Sequence, residues 1–490
     1  MRILQISSEA YPWAKTGGLA DVVGALSTHL AERGHEVTVV LPLYREIREA
    51  GFAAGPPVLR LGPRRLGVPA RATVRRLEVD SPVQVLVVDA PALYDREGLY
   101  GTGVTDHPDN LLRFSAFVRA ALCAAGESPP EVLHAHDWQA ALAPVLLRAG
   151  APPAGVLAAA GVASVLTLHN LAYQGRFPAE SWPDTGLPAG WLRPDRLELF
   201  GGINLLKGGI LAADRVTTVS PRYAREITTP EFGFGLEGLI AGLASPVEGI
   251  LNGIDVSAWD PRHDPHLPAP FGPDDLSGKA EAKAAVQSEM GLPGRPDVPL
   301  FGFVSRLIEQ KGLGLVDALR DRFAGWPAQF ALVGAGEPRY ERLLRELAAG
   351  CPNVGARVVF SERLAHLVEA GSDFFLMPSA FEPCGLNQMI SQRYGTVPVV
   401  HRVGGLADSV TDATPETLAA GTATGVVFDH FDPHALAWAI ETAIELHGRP
   451  ASLRALREAG MRADFSWAAS GRRYEELYER LLAGDAAGSG

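Results

Sequence analysis

The chain has 490 residues, 47% hydrophobic and 20% charged, with 44 Lys and Arg against 56 Asp and Glu for a formal net charge of −12. At roughly 150 residues per domain, this length holds two to four domains, each able to bury its own core. The acidic balance argues against a nucleic-acid-coating role, because its average field repels a phosphate backbone, yet it leaves room for a local basic pocket that takes a small anion.

Short β-branched apolar runs recur, each followed by a Gly, Pro or polar break and a helix-period stretch, which predicts parallel strands with crossover helices. In the first half the strands are expected at Arg2 to Ser7, Glu36 to Leu43, Val83 to Asp89, Glu131 to His136, Ser164 to His169 and Arg215 to Ser220. The charge-free segment from Ala149 to Leu168 carries Pro152-Pro153 and many Ala and Gly, and reads as a loop feeding a buried strand, not a membrane span. The Gly-rich stretch from Phe232 to Gly249 places a hinge near Ser245. The second half repeats the arrangement, with strands at Leu300 to Ser305, Gln329 to Gly334, Ala356 to Phe360, Asp373 to Pro378, Val397 to His401 and Gly425 to Asp429. A last helix begins near Ser466, with Trp467, Tyr474, Leu477 and Leu481 at helical spacing, and Gly484 to Gly490 is expected to fray. The pattern predicts an α/β chain of two doubly wound domains, 1–245 and 246–465, facing one another, followed by the segment 466–490.

Cys123, Cys351 and Cys384 lie far apart with no CxxC pair, which argues against a disulfide framework and a local thiolate zinc site and fits a reducing cytoplasm. The amino terminus, MRILQISSEAYPWAKTGG, has too short an apolar run for a secretory signal.

Ligands of open α/β sheets bind beyond the carboxyl ends of strands, and polar residues cluster there. Lys15 precedes a glycine pair, Asp137 follows EVLHAH, His169 and Asn170 follow SVLTL, Asn252 follows an apolar run, Arg306 and Lys311 follow FGFVS, and Glu382 follows DFFLMPS. The run Gly17-Gly18-Leu19-Ala20-Asp21 is echoed by Gly404-Gly405-Leu406-Ala407-Asp408; each copy reads either as a ligand-cradling loop at a helix start or as an ordinary glycine turn. Arg306 offers a planar fork and Lys311 a point charge to one anion. In Glu382-Pro383-Cys384-Gly385-Leu386, a helix start could hold an anion or a sugar hydroxyl; Cys384 reads as a packing residue or an activated thiolate. His134 and His136 share a strand face, as a metal pair would or as buried partners of other groups would. Tyr94, Tyr100, Trp138, Tyr173 and Trp191 are either sugar-stacking platforms or core.

On these motifs the chain resembles the family of bacterial glycogen synthases and plant starch synthases, from residue 1 to about residue 480. KTGGLADV, VLHAHDWQ, HNLAYQG, LLKGGILAADRVTTVSPRYA, ILNGID, SRLIEQKG, PSAFEPCGL and RYGTVPVV carry the likeness in order and spacing. The resemblance implies a GT-B fold of two Rossmann-like domains around a central cleft, with a carboxy-terminal helix that returns to the first domain. It implies transfer of glucose from ADP-glucose to the nonreducing end of an α-1,4-glucan with retention, without a metal or other cofactor, and no nucleic-acid or membrane partner. By position it implies that Lys15, Gly17 and Gly18 contact the donor, Arg306 and Lys311 neutralise the departing ADP, and Glu382 with Cys384, Gly385 and Leu386 holds glucose hydroxyls. His169 and Asn252 would sit by the 6-hydroxyl, Asp21 and Asp137 would support the geometry, and Gly404-Gly405 would line the nucleotide side. Ala380 and Val403 stand where the family commonly has Arg and Thr, which bears on the choice of ADP over UDP. Ile390, eight residues after Glu382, means that the paired glutamates of some related transferases are missing. The rival readings are a UDP-glucose or other glucoside transferase, a sugar-nucleotide epimerase and a noncatalytic glucan-binding protein.

Overall fold

The computed structural model describes residues 1–103 and 105–484; of the tail expected to fray, all but Gly484 lies outside them. The chain forms two compact units, Met1–Gly253 joined by the chain from Trp467 onward, and Ile254–Ser466.

The first unit is built on a nine-stranded sheet. Its strands are β1 Arg2–Ile6, β2 Glu36–Pro42, β3 Ala53–Leu61, β4 Ala72–Glu78, β5 Gln84–Asp89, β6 Val132–His136, β7 Ala163–Leu168, β8 Arg215–Thr218 and β9 Glu248–Gly249. Their spatial order is β9-β8-β7-β6-β1-β2-β5-β4-β3. The central strands pair in parallel and read as continuous apolar runs because helices cover both faces. Helix Gly18–Glu32 buries Leu19, Val22, Val23, Leu26 and Leu30.

The antiparallel extension β3–β4 was not expected from the sequence. Gly55-Pro56-Pro57 removes ladder donors and produces register shifts, which an edge strand tolerates. The Ala149 to Leu168 segment also contains a short helix, Gly155–Ala159, before β7.

The chain beyond Ser245 still belongs to the first unit. β9 pairs with β8, and Ile250 N–H donates to the Thr218 carbonyl at 2.8 Å. Helix Trp467–Leu482 buries Trp467, Tyr474, Leu477 and Tyr478 in the same core. Glu475 on this helix accepts from Arg33 at 3.3 Å and pairs with His35 at 2.9 Å.

The second unit has a six-stranded sheet of β10 Leu300–Leu307, β11 Gln329–Gly336, β12 Val354–Val358, β13 Phe374–Met377, β14 Val397–His401 and β15 Val426–Phe428. The order β12-β11-β10-β13-β14-β15 is parallel throughout. Phe301 stacks between Phe330 and Phe374 at the centre of its core. In each sheet the chain reverses direction of strand addition beside its first strand, between β1 and β6 and between β10 and β13. Such switch points open a crevice at the carboxyl ends of the strands.

Candidate active site

In the first unit the loop after β1 is organised by Glu9, a buried carboxylate that the sequence did not single out. It accepts from Thr16 N–H, from Thr16 Oγ1 at 2.7 Å and from Gly17 N–H at 3.3 Å, and the Tyr100 hydroxyl donates to it as well. Glu9 thereby fixes the chain between Lys15 and the start of helix Gly18–Glu32. Lys15 Nζ meets Asp21 Oδ1 at 2.7 Å, with both side chains about a third exposed. An exposed pair of this kind holds little energy, so an anionic ligand can draw Lys15 away at low cost.

After β6, Asp137 adopts φ 54°, a left-handed conformation that is uncommon for a residue other than glycine. The conformation brings its carboxylate under the next loop, where Oδ1 accepts from His169 N–H at 2.7 Å and from Asn170 N–H at 3.4 Å. Burial pushes the Asp137 carboxyl up to about 7, against the pull of these two N–H groups. Burial pushes His169 down to about 3, so it is a neutral imidazole. Asn252 is buried beyond β9, and its Oδ1 has no hydrogen-bond partner among the described residues.

His134 and His136 stack with ring centroids 4.1 Å apart. His134 bonds to the Tyr478 hydroxyl at 2.7 Å and to Thr167 Oγ1 at 2.6 Å; His136 bonds to His169 at 3.0 Å and to Gln5 at 2.7 Å. With all four ring nitrogens engaged, the pair acts as a hydrogen-bonded part of the core, the second of its two sequence readings. Among the candidate aromatics, Tyr94 is wholly buried, Trp138 packs edge-on against Phe114, Trp191 stacks with Arg196, and only Tyr173 is exposed.

In the second unit three neighbouring strand ends converge. Arg306 is the penultimate residue of β10, one residue later than the strand end expected from the sequence, and the connection that follows, carrying Lys311, is pinned to the connection after β13 by Ala380 N–H donating to the Gln310 carbonyl at 2.9 Å and by Gln310 Nε2 donating to the Phe381 carbonyl at 3.1 Å. Gly312, at φ 75°, permits this approach, because a Cβ there would lie 1.8 Å from the Pro378 carbonyl oxygen. Lys311 Nζ then reaches Glu382 Oε2 at 2.6 Å, and the Ser379 hydroxyl donates to the same oxygen at 2.9 Å. Sequence reasoning gave Lys311 and Glu382 separate tasks; the fold makes them one ion pair, with Glu382 nearly buried. The Arg306 guanidinium is exposed and has neither a hydrogen bond nor an ion pair among the described residues.

The connection after β14 closes the group. Gly405 N–H donates to the Glu382 carbonyl at 3.1 Å. A Cβ on Gly404 would lie 1.9 Å from that carbonyl oxygen, and one on Gly405 would lie 2.1 Å from the Cys384 carbonyl oxygen and 2.5 Å from its Cα. A Cβ on Gly17 would meet nothing within 4 Å. The two sequence echoes therefore differ physically. In the second, glycine is required for backbone-to-backbone packing beneath Glu382-Cys384-Gly385-Leu386. Gly405→Ala is expected to destabilise the second unit by about 1–3 kcal/mol, whereas Gly17→Ala leaves stability unchanged; urea unfolding midpoints check both. Cys384 is a buried packing residue, and Gln388 Nε2 donates to its carbonyl and to that of Gly385, both at 3.1 Å.

Asp264, His266 and His366 also lie close enough together to hold a metal ion. Asp264 Oδ2 is already taken by His366 Nδ1 at 2.8 Å and the Tyr394 hydroxyl at 2.6 Å, and Trp259 stacks on His366 at 3.8 Å. This arrangement reads as a packed polar cluster. No helix among the described residues is long and apolar enough to cross a membrane.

Residues 2–242 match the family model described as starch synthase catalytic domain, and residues 298–445 match glycosyl transferases group 1. The chain is 49% identical to a glycogen synthase of Anaeromyxobacter dehalogenans over 98% of its own length and 100% of that protein. It is 44% identical to glycogen synthase 1 of Methylococcus capsulatus, over 100% of the chain and 98% of that protein. Among solved structures it is similar to the catalytic domain of starch synthase IV from Arabidopsis thaliana bound to ADP and acarbose, with TM-score 0.88 and 33% identity over 98% of this chain and 99% of that one. It shares a fold with sucrose-phosphate synthase from Thermosynechococcus elongatus, at TM-score 0.64 and 18% identity over 99% and 100% of the two chains.

Proposed function

The chain belongs to the glycogen synthase and starch synthase family of GT-B glycosyltransferases, and from that premise we propose that it transfers glucose from ADP-glucose to the nonreducing end of an α-1,4-glucan with retention of anomeric configuration. The observation that carries this reading is the composition of the β10/β13 switch point. There an exposed guanidinium, Arg306, with no side-chain partner among the described residues, stands at the end of β10 just ahead of Lys311, whose ammonium is held by Glu382. Cations so placed suit a leaving diphosphate.

Glycosyl transfer passes through an oxocarbenium-like state, with positive charge growing on the sugar and negative charge on the leaving group. In this mechanism the bond between C1 and the diphosphate oxygen breaks as the acceptor 4-hydroxyl oxygen bonds to C1 on the same face. The hydroxyl proton passes to an oxygen of the departing diphosphate. Arg306 and Lys311 take the negative end, the amides around Gly385 and Gly405 assist, and Lys15 moves from Asp21 to the donor. Glu382 receives sugar hydroxyls, while His169 and Asn252 attend the primary hydroxyl. No side-chain nucleophile enters: Glu382 is committed to Lys311 and Ser379, and Asp137 to two backbone N–H groups. The mechanism calls for no metal ion. Three buried cysteines, none of them in a disulfide among the described residues, fit a cytoplasmic setting.

Incubation with labelled ADP-glucose or UDP-glucose, with and without glycogen, tests the reading. Primer-dependent incorporation from ADP-glucose is expected. Preference for UDP-glucose would overturn the donor assignment, and binding of glycogen without incorporation from either donor would overturn the activity.

A further inference from the structure

A buried hydrogen-bond chain runs from the first strand of the sheet to the candidate site. Gln5 is the fourth of the five residues of β1, level with His134 on β6. Its Oε1 is 2.7 Å from His136 Nε2, and His136 Nδ1 is 3.0 Å from His169 Nε2. Gln5 and His136 are wholly buried and His169 nearly so.

Hydrogen-bond polarity propagates along this chain. An amide oxygen only accepts, so His136 Nε2 carries the hydrogen. A neutral imidazole has one N–H, which leaves His136 Nδ1 bare and able only to accept. His169 Nε2 must then carry a hydrogen and donate it. His169 Nδ1 is left as a lone pair, and it has no hydrogen-bond partner among the described residues. Were the group at position 5 a donor, every bond would reverse and His169 Nδ1 would present an N–H instead.

We propose that Gln5 is a positioning residue that fixes His169, two rings away, in the Nε2–H tautomer, so that Nδ1 accepts a hydrogen bond from the primary hydroxyl of the glucosyl unit being transferred. The assignment of the sugar rests on the proposed function; the assignment of the tautomer rests on the hydrogen-bond geometry and on the burial that keeps both imidazoles neutral. Gln5 touches no substrate and acts only through His136. The arrangement makes selection for a hydroxyl donor at that position a property of the core, and it places the determinant in the first strand.

The test has two arms. In histidine-selective ¹⁵N NMR of the whole chain, wild-type His169 is expected to show a protonated Nε2 and a bare Nδ1, and Gln5→Glu, which keeps an acceptor, is expected to retain this state. Gln5→Met is expected to give a mixture of tautomers. A wild-type His169 protonated on Nδ1 would overturn the proposal. In the second arm, kcat/KM is compared for ADP-glucose and its 6-deoxyglucose analogue. The wild type should lose roughly 10- to 100-fold without the hydroxyl, as expected when a buried acceptor is left unpaired. Gln5→Met should shrink that penalty to about threefold or less, with KM for glycogen unchanged, and Gln5→Glu should restore it. An undiminished penalty in Gln5→Met would overturn the proposal. Should Gln5→Met not fold, the wild-type spectrum and Gln5→Glu decide it. Absence of any transfer by the wild type would defeat the proposed function, while the NMR arm would still decide the role of Gln5.

Discussion

Arg306→Ala and Lys311→Ala each lower the turnover of glucosyl transfer by about 10²–10³-fold, the usual cost of removing one preorganised charge from a developing oxyanion. The two variants should separate in stability. The Arg306 guanidinium is exposed and makes no hydrogen bond or ion pair among the described residues, so its removal costs the fold nothing measurable and the melting temperature stays within about a degree. Lys311 is different. Its Nζ lies 2.6 Å from Glu382 Oε2, and the Glu382 side chain is only 7% exposed. Truncating the lysine leaves that buried carboxylate with the Ser379 hydroxyl as its one remaining side-chain partner among the described residues, which costs about 3–5 kcal/mol. Lys311→Ala should therefore lose both rate and stability, and the double variant should lose less than the product of the single rate effects, because both cations serve one leaving group. Steady-state turnover and thermal unfolding of the three variants check this. Near-normal rates in both single variants would remove the leaving-group assignment.

Much of this group was visible in the chain itself. Arg306, Lys311 and Glu382 follow apolar runs that could only be buried parallel strands, and the ends of such strands are where ligands gather. What the sequence does not reveal is who pairs with whom. The Lys311–Glu382 bond spans 71 residues, and the bond from Tyr100 to Glu9 spans 91. Both depend on which strands become neighbours. Glu9 and Gln5 carry no local signature: one is an acid after a strand, the other a polar residue inside one. Only the parallel register of β1 with β6 gives Gln5 its partner. β3 was missed for the opposite reason. Gly55-Pro56-Pro57 argues against any strand on local grounds, and only its place at the edge of the sheet makes it tolerable. The twin Gly-Gly motifs show how far a repeat can mislead, since equivalent residues face open space at Gly17 and the backbone of Glu382 at Gly404.

The histidines behind the site set the second large expectation, a steep loss of stability in mild acid. Burial pushes His134 and His169 down to about 3 and His136 well below its ordinary value. An unfolded histidine takes its proton near pH 6.5. Below that pH the unfolded chain therefore binds up to three protons that the folded chain refuses, and the free energy of unfolding falls as pH falls. Asp137 works the other way. Held up to about 7 in the fold, against about 4 when unfolded, it gives the folded state one extra proton between those values. The balance is three protons against one, a net of about two. At 1.36 kcal/mol per proton and pH unit, stability should fall by roughly 3 kcal/mol for each unit between about pH 6 and pH 4. Burial lowers His29 as well, which adds in the same direction. Over those two pH units the loss is about 6 kcal/mol, a large share of the roughly 5–15 kcal/mol that a domain has to lose. Urea midpoints by circular dichroism from pH 7 to pH 4.5 measure the slope, and a flat profile would contradict it. His134→Gln, which keeps polar atoms toward Tyr478 and Thr167, should reduce the slope by about one proton, and Asp137→Asn should steepen it by about one. The opposite signs of those two changes separate a proton-linked loss from general acid damage, because no nonspecific effect would be relieved by one core substitution and worsened by another on the same strand-to-loop connection.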